Sequence, residues 1–477
     1  MNIIQKATIA TITVFMIGAY MSCKKFLDVG TPITNTSQEN VYENDATAAA
    51  VITGIYTKMM NDFTQIGITS ISYVQELASD NLILNTQNDQ GYLSWWRNQV
   101  TSDYANTEGI GDFFSSLYPT IYITNAAIEG IENSKHLTPA IKQRLLGEAY
   151  FLRAFHYFYL VNLYGDIPLI TSTDYTQTSL KERSPVSLIY EQMISDLQKS
   201  SNLLDDTYVD GSIIKKSIER VRPNRSASLA LLARVQLYQK KYQDAEKTAS
   251  LVINQTSLYR LIGVDSVFKK NSLETIWALQ PVKQGFNTDE GATFILDKVP
   301  GILAPKLSYI SNSLLSSFEN NDNRYTSWIE KFISGNITYP YAAKYKIDAN
   351  NDVVSEYCIV LRLAELYLIR AEARLESNNI TGALDDINFI RKRAGLLPTP
   401  ASTVPDIRKA IIKERRVELF CEWGHRWFDI KRSDSMNEIM QAAMTFKGGT
   451  WASYKAIYPI PNFEILRDPN LVQNPGY

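Results

Sequence analysis

The densest group of chemically active side chains lies between residues 414 and 432. Glu414 and Glu418 are four residues apart, and His425 follows them. This spacing places both carboxylates on one helical face, where a carboxylate pair and a base could perform acid–base catalysis. A general acid needs a raised pKa, however, and the arginines that crowd the same segment would lower it. We therefore interpret the segment as an ion-pair network that pins the last helix.

A second group combines aromatic rings with amide and charged side chains in an irregular polar segment. Two adjacent tryptophans in a loop cannot both face one core, so at least one indole is expected to be exposed or to contact another excursion. Indole faces stack on the C–H faces of sugar rings, while Asn, Asp and Arg bind hydroxyls. Tyr309 could add a further wall. The predicted ligand-binding residues are Tyr92, Trp95, Trp96, Asn81, Arg97, Phe286 and Trp328. Aromatic residues that merely pin the loops to the helices remain the alternative.

Composition narrows the function classes. The chain has 477 residues, of which 45% are hydrophobic, so it can bury a large core. Its 48 basic and 50 acidic residues give a net charge of −2, which provides no positive field for nucleic acid. Three cysteines and three histidines argue against a disulfide scaffold or a His-based metal site. No cofactor is therefore expected, although a loop-bound structural calcium stays open.

The first residues are typical of an exported lipoprotein. Residues 1–22 contain a short apolar run that resembles a signal peptide, and Cys23 follows it directly. An acylated Cys23 would anchor the chain, at about 0.8 kcal/mol per buried CH₂. Residues 23–45 are then expected to form a polar tether. A plain secretory signal with an incidental cysteine is the alternative. Cys358 and Cys421 are expected to be buried free thiols.

Positioning these groups requires a helical framework. Apolar residues recur at helical spacing in residues 46–61, 113–131, 141–163 and 187–204. Residues 229–249 and 366–388 resemble each other. Each reads as a helix, a polar turn and a second helix, with Ala233 aligned to Ala371 and Ala245 to Ala383. This is the tetratricopeptide repeat (TPR) pattern, in which helical hairpins stack because none can bury its face alone.

The domain organisation follows from these repeats. We predict a mainly α fold with about four degenerate TPR hairpins, within residues 113–270 and 360–435. Loop-rich excursions with a few short strands occupy about 66–106 and 272–357. Residues 46–477 are expected to form a single domain. The repeats are far apart in the chain, so the array is expected to be interrupted.

Several motifs, taken in order, resemble the SusD/RagB family of outer-membrane nutrient-binding lipoproteins, and the likeness covers nearly the whole chain. The motifs are Cys23-Lys24-Lys25-Phe26-Leu27-Asp28, Glu148–Ala154 leading to Tyr164–Pro168, Asp322-Asn323-Arg324, Arg362–Leu368 leading to Ala371-Glu372-Ala373, Glu414–Arg432, Pro459-Ile460-Pro461 and Gln473–Tyr477.

The resemblance implies a helical fold with TPR units, anchored to the outer membrane through Cys23 and facing the cell exterior. It also implies a partner, a SusC-like TonB-dependent β-barrel transporter, over which the lipoprotein holds an oligosaccharide or a peptide. Tyr92, Trp95 and Trp96 fall near the region that carries the aromatic platform in glycan binders of the family.

From the exported aromatic and amide-rich loops and the absence of a catalytic motif, we expect a non-enzymatic glycan-binding protein. Three alternatives remain. One is a glycoside hydrolase with its carboxylates among Asp289, Glu290 and Asp297. Another is a peptide-binding protein of the RagB type. The third is a TPR adaptor without a small ligand.

Overall fold

The computed structural model describes residues 41–61, 68–86, 88–103, 110–301, 306–348 and 353–477. The signal sequence, Cys23 and the tether up to residue 40 lie outside these residues, so they stay predictions. Within the described ranges, no helix has both the length and the apolar character that a membrane span requires.

The described residues are mainly helical, as the sequence predicts. The helices are α1 (Asp45–Asn61), α2 (Ile68–Ala78), α3 (Gln90–Trp96), α4 (Phe113–Asn133), α5 (Pro139–Tyr164), α6 (Tyr175–Thr178), α7 (Val186–Leu203), α8 (Arg225–Tyr238), α9 (Tyr242–Ile253), α10 (Asp289–Phe294), α11 (Asn312–Leu315), α12 (Asn323–Trp328), α13 (Leu363–Glu376), α14 (Ile380–Arg393), α15 (Val404–Leu419), α16 (His425–Lys431), α17 (Met436–Lys447) and α18 (Asn462–Arg467).

The long helices form one stack. In order of contact they are α4, α5, α7, α8, α9, α13 and α14. Helix α9 precedes the second excursion and α13 follows it, so the array that is interrupted in sequence is continuous in space. Arg234 of α8 and Glu365 of α13 bridge the junction with two hydrogen bonds of 2.6 Å. Consecutive helices joined by short turns are compatible with the predicted TPR hairpins.

Small residues allow this close packing. The four aligned alanines, Ala233, Ala245, Ala371 and Ala383, expose none of their surface. Any larger side chain at these points would separate the helix backbones.

The strands form two-stranded antiparallel ribbons, which come mostly from the excursions. They are β1 (Leu82–Leu84) with β5 (Ser308–Ile310), β2 (Ile167–Pro168) with β3 (Arg183–Ser184), β4 (Thr275–Leu279) with β8 (Cys358–Arg362), and β6 (Ile329–Ser334) with β7 (Ile337–Ala342). The β1–β5 ribbon joins the first excursion to the second, because its strands come from different excursions.

The two excursions share a hydrophobic core of their own. Tyr73, Leu84 and Trp96 of the first pack with Phe294 and Trp328 of the second. A separate and larger core lies among the helices. The excursions are therefore a packed layer on the helical stack, and the β1–β5 and β6–β7 ribbons lie in that layer.

Candidate ligand-binding surface

The charged segment 414–432 is a buried ion-pair network, as predicted. Arg324 binds Glu414 at 2.6 Å and Glu418 at 2.9 Å, and Arg362 binds Glu418 at 2.6 Å. Burial alone would raise the pKa of Glu418, but Arg393, Arg362 and Arg324 outweigh it and hold the pKa well below its usual range. A carboxylate that remains ionised in this way is suited to anchoring arginines and not to donating a proton.

His425 is also unsuited to act as a charged group in that segment. Its ring is buried, and burial together with the nearby charge of Arg234 lowers the pKa of His425 well below its usual value. The imidazole is therefore neutral at physiological pH and lies inside the buried ion-pair network.

Neither indole at residues 95 and 96 is exposed; of the two expected arrangements, exposure or contact with another excursion, the structure shows the second, for Trp96. Trp95 is 1% exposed and Trp96 is 5% exposed. Residues 90–96 form helix α3 instead of a loop, and successive helical positions point about 100° apart. Trp95 consequently enters the helical core, and Trp96 enters the core of the excursions. The two indoles anchor the first excursion to two different cores.

Specific contacts hold both rings in place. The indole N–H of Trp95 donates to the Ile110 carbonyl at 2.8 Å, and that of Trp96 donates to the Leu82 carbonyl at 3.1 Å. Trp95 also packs edge-on against Tyr458, with 4.7 Å between ring centroids. Neither ring face is available to a ligand in this arrangement.

Asn81 and Trp328 are likewise structural. Asn81 is fully buried, where it donates to Glu76 at 2.7 Å and accepts from Arg416 at 3.0 Å. Trp328 is 1% exposed and donates to the Val264 carbonyl at 2.7 Å. Both positions therefore hold the excursions together and expose no group for direct ligand contact.

The other predicted residues, Tyr92, Arg97 and Phe286, are partly exposed. Tyr92 lies on α3 and packs edge-on against Tyr73, with 5.4 Å between ring centroids. Burial raises the pKa of Tyr92 to about 12, so its hydroxyl stays neutral and can donate a hydrogen bond. A role for Tyr92, Arg97 and Phe286 in ligand binding stays a prediction.

A row of apolar side chains that the sequence did not reveal crosses the excursions. Ile83 of β1 lies opposite Tyr309 of β5, and Phe332 of β6 lies opposite Tyr339 of β7. The rings of Tyr309 and Tyr339 meet edge-on at 5.3 Å, which joins the two ribbons. We call Ile83, Tyr309, Tyr339 and Phe332 the apolar row. Tyr339 is 7% exposed, whereas the other three are partly exposed.

Polar groups lie close to the β1 end of this row. Asn85 and Asn88 are exposed in the turn that follows β1, and Asp89 caps α3 by accepting from the Tyr92 backbone at 3.1 Å. Asn85 also donates to the Pro300 carbonyl at 2.8 Å, which holds this turn against the second excursion. Partly exposed rings beside amides and a carboxylate are the combination that binds sugar rings and their hydroxyls.

Two of the three carboxylates considered for hydrolysis, Asp297 and Glu290, have other partners. Asp297 pairs with Lys306 at 3.0 Å. Glu290 is 3% exposed and accepts a hydrogen bond from the Cys358 thiol at 3.1 Å. Burial raises the pKa of Glu290 to about 7, but the group faces the protein interior.

Among the residues that the structure describes, no three His, Cys, Asp or Glu side chains converge as a metal site. Structural calcium therefore stays a prediction. Cys358 and Cys421 are buried free thiols, as expected.

The sequence matches two family models. One, described as the SusD family, covers residues 174–477, and one described as starch-binding and associating with the outer membrane covers residues 25–237. A SusD-like protein of Formosa agariphila is 24% identical to this chain, over 97% of this chain and 98% of its own length.

Solved structures share the fold. A SusD superfamily protein from Bacteroides vulgatus has a TM-score of 0.79 and 18% identity, and covers 91% of this chain and 100% of its own. A laminarin-binding SusD-like protein has a TM-score of 0.73 and 23% identity, with coverage of 91% and 100%. The SusD family model spans more than half of the residues, and the resemblance inferred from the motifs is thereby confirmed: this chain belongs to the SusD family.

Proposed function

We propose that the protein binds an oligosaccharide at the bacterial surface without cleaving it, and delivers it to a SusC-like TonB-dependent transporter. The observation that carries this proposal is the apolar row, which presents Ile83, Tyr309 and Phe332 partly exposed across two ribbons. Rigid ribbons fix these side chains in a line, which suits an extended chain of sugar rings.

Family membership supports the ligand class. One matching model is described as starch-binding, and one structural neighbour is described as laminarin-binding. Both descriptions name polysaccharides, which favours a glycan over a peptide. Different members bind different glycans, so the identity of the sugar must come from the chain's own surface.

The contacts of the carboxylates favour binding over hydrolysis. A glycosidase needs two carboxyl groups on either side of one sugar linkage, about 5–9.5 Å apart. Glu290 faces inward and Asp297 is neutralised by Lys306. Neither group is placed as the acid of such a pair.

Family membership also supports the proposed location. The model that matches residues 25–237 is described as associating with the outer membrane. Acylated Cys23 would provide the attachment, and mass spectrometry of the mature N-terminus tests it. Co-purification of a β-barrel transporter with the tagged chain tests the proposed partner.

A calorimetric titration against a panel of neutral oligosaccharides and peptides tests the ligand class. We expect saturable binding to one class of oligosaccharide, with no new reducing ends after prolonged incubation. Release of reducing ends would support the hydrolase alternative, and saturable binding to peptides alone would support the RagB-like alternative. Binding to neither, with the transporter retained, would support the adaptor alternative.

A further inference from the structure

The connection between α7 and α8 carries an exposed apolar and basic turn. Ile214 is 71% exposed and Ile218 is 78% exposed, and Lys215 and Lys216 lie between them. We call residues 213–218 the Ile–Lys loop. Two isoleucines this exposed are unusual in a segment that is only six residues long.

Hydrogen bonds give the loop a defined shape. The Asp210 backbone N–H donates to the Lys215 carbonyl at 2.9 Å, and the Ser217 N–H donates to the Tyr208 carbonyl at 2.9 Å. Ile213 is 6% exposed, and its φ of 68° is uncommon for a β-branched residue. Burial of Ile213 therefore fixes the turn, and the chain beyond it is directed outward at Ile214.

The loop lies in a positively charged neighbourhood. Glu219, next to Ile218, approaches Lys270 at 4.0 Å, which places Lys269 and Lys270 beside the loop. Lys215, Lys216 and Lys269 form no ion pair with any described acidic residue. Lys215 does contribute, after the hydrogen bonds of Ser212, to lowering the pKa of partly exposed Asp210. Glu356 lies beside Lys269 across an isolated β-bridge, so four lysines face three carboxylates, Asp210, Glu219 and Glu356.

This chemistry fits a membrane surface better than a protein. Aliphatic side chains enter the boundary between headgroups and acyl chains, while lysines meet lipid phosphates. The centres of protein–protein interfaces are instead depleted of lysine and enriched in aromatic residues, which residues 213–218 lack.

The fold allows the loop to reach the membrane. Arg222, four residues after Ile218, donates to the Thr53 hydroxyl of α1 at 3.0 Å. Thr53 lies about 12 Å along α1 from Asp45, at about 1.5 Å per residue. The chain from Cys23 to Val41 can span at most about 60 Å, at about 3.3 Å per residue. An anchor at Cys23 therefore permits the loop to touch the same bilayer.

We propose that the Ile–Lys loop docks on an anionic lipid surface, with Ile214 and Ile218 inserted among the headgroups and Lys215 and Lys216 on lipid phosphates. The proposal rests on the membrane location given under the proposed function, and it goes beyond ligand capture. Docking of the Ile–Lys loop would orient the excursions relative to the membrane.

Depth-dependent fluorescence quenching tests this docking on the full, acylated chain in vesicles. A bimane label is attached at Ile218→Cys or, as the matched control, at Leu397→Cys, since Leu397 is 82% exposed on another element. Cys358 and Cys421 are buried, so they will not compete for the label. We expect a lipid-borne nitroxide to quench the label at 218 several-fold more than the label at 397 when the vesicles contain phosphatidylglycerol.

A second set of quenching measurements tests the contribution of the lysines. Lys215→Ser with Lys216→Ser, or vesicles of phosphatidylcholine alone, should reduce quenching at 218 to the level at 397. Equal quenching at both positions, or quenching independent of the lysines and of anionic lipid, would overturn the proposal. Protection of 218 only after the transporter is added would assign the loop to a protein interface and overturn it too.

Measuring the oligosaccharide affinity of the same labelled proteins separates this proposal from the ligand-binding proposal. Because the loop lies outside the apolar row, loss of membrane docking and loss of oligosaccharide binding are independent outcomes. If Ile218→Cys does not fold, as judged by its thermal unfolding, Ile214→Cys carries the same label with the same expected outcome.

Discussion

At the scale of single residues, substitutions in the buried ion-pair network around Glu418 are expected to change the stability of the protein most. Glu418 contacts Arg324, Arg362 and Arg393 and has no exposed side-chain surface. Removing the charge of Glu418 leaves three buried arginines with less compensation, although each keeps another carboxylate partner. The stability of the protein is therefore expected to be sensitive to the loss of any one partner in this network.

Glu418→Gln is predicted to destabilise the protein by about 3–5 kcal/mol, because three arginines lose their shared buried counter-ion. Glu330→Gln is the matched control, since Glu330 pairs with Lys346 where both side chains are about half exposed. Its expected cost is about 0–1 kcal/mol. Urea unfolding measures both values, and equal costs would contradict the assigned role of Glu418.

Glu290 should make stability depend on pH. Burial raises the pKa of Glu290 from 4.5 to about 7 in the folded state. The folded protein therefore binds the proton more tightly, so the stabilising contribution is complete below pH 4.5 and is lost as the pH rises through 7. The upper limit is about 3 kcal/mol, at about 1.4 kcal/mol per pKa unit.

Glu290→Gln should accordingly flatten the fall in unfolding free energy between roughly pH 5 and pH 8. A residual slope is expected in both proteins, because burial also raises the pKa of Glu76 to about 7. Denaturant titrations across that range make the comparison. Identical slopes for the two proteins would show that Glu290 is ionised in the folded state.

At the scale of elements, close backbone contact locks the two excursions together. Gly301 has a φ of +91°, and a Cβ there would lie 1.8 Å from the Asn85 carbonyl oxygen. Only glycine fits such an approach, and the contact holds the turn after β1 in place beside the apolar row.

Gly301→Ala is predicted to destabilise the protein by about 1–3 kcal/mol more than Gly335→Ala, because only the former forces backbone atoms apart. Gly335 is a suitable control, since its φ is +59° but nothing lies within 4 Å of its Cβ position. Urea unfolding, with hydrogen exchange at the Asn85 amide, reports the difference. Equal destabilisation would mean that the turn moves freely away from Gly301.

The sequence predicted the elements with a strong periodic pattern. Residues 113–131 and 141–163 were expected to be helical, and they form most of α4 and α5. Helix α3 was missed because seven residues span too few turns to show a 3.6-residue period. That single omission is why exposure of an indole stayed one of the two expected arrangements, since a helix can direct adjacent indoles into two cores.

The apolar row could not be predicted for a different reason. Ile83 and Tyr309 become neighbours through strand pairing between two excursions that are far apart in the chain. Local sequence patterns carry no information about such a pairing. Tyr309 could be named as a candidate, but its ring neighbours could not.

At the scale of the whole molecule, a continuous helical stack supports a separate layer that carries the proposed ligand surface. Helix α9 contacts α13 directly, so the second excursion leaves and rejoins the stack at one place. Binding residues on such a layer can change without altering the stack beneath it.

The most direct test of the central claim, that the apolar row binds glycan, is calorimetric titration of Tyr309→Ala with Phe332→Ala. The control is Tyr122→Ala, since Tyr122 is 53% exposed on helix α4. We predict at least tenfold weaker oligosaccharide binding for the double variant, equivalent to about 1.4 kcal/mol, and unchanged binding for the control. Wild-type affinity in a folded double variant would contradict the assignment of the glycan site to this row.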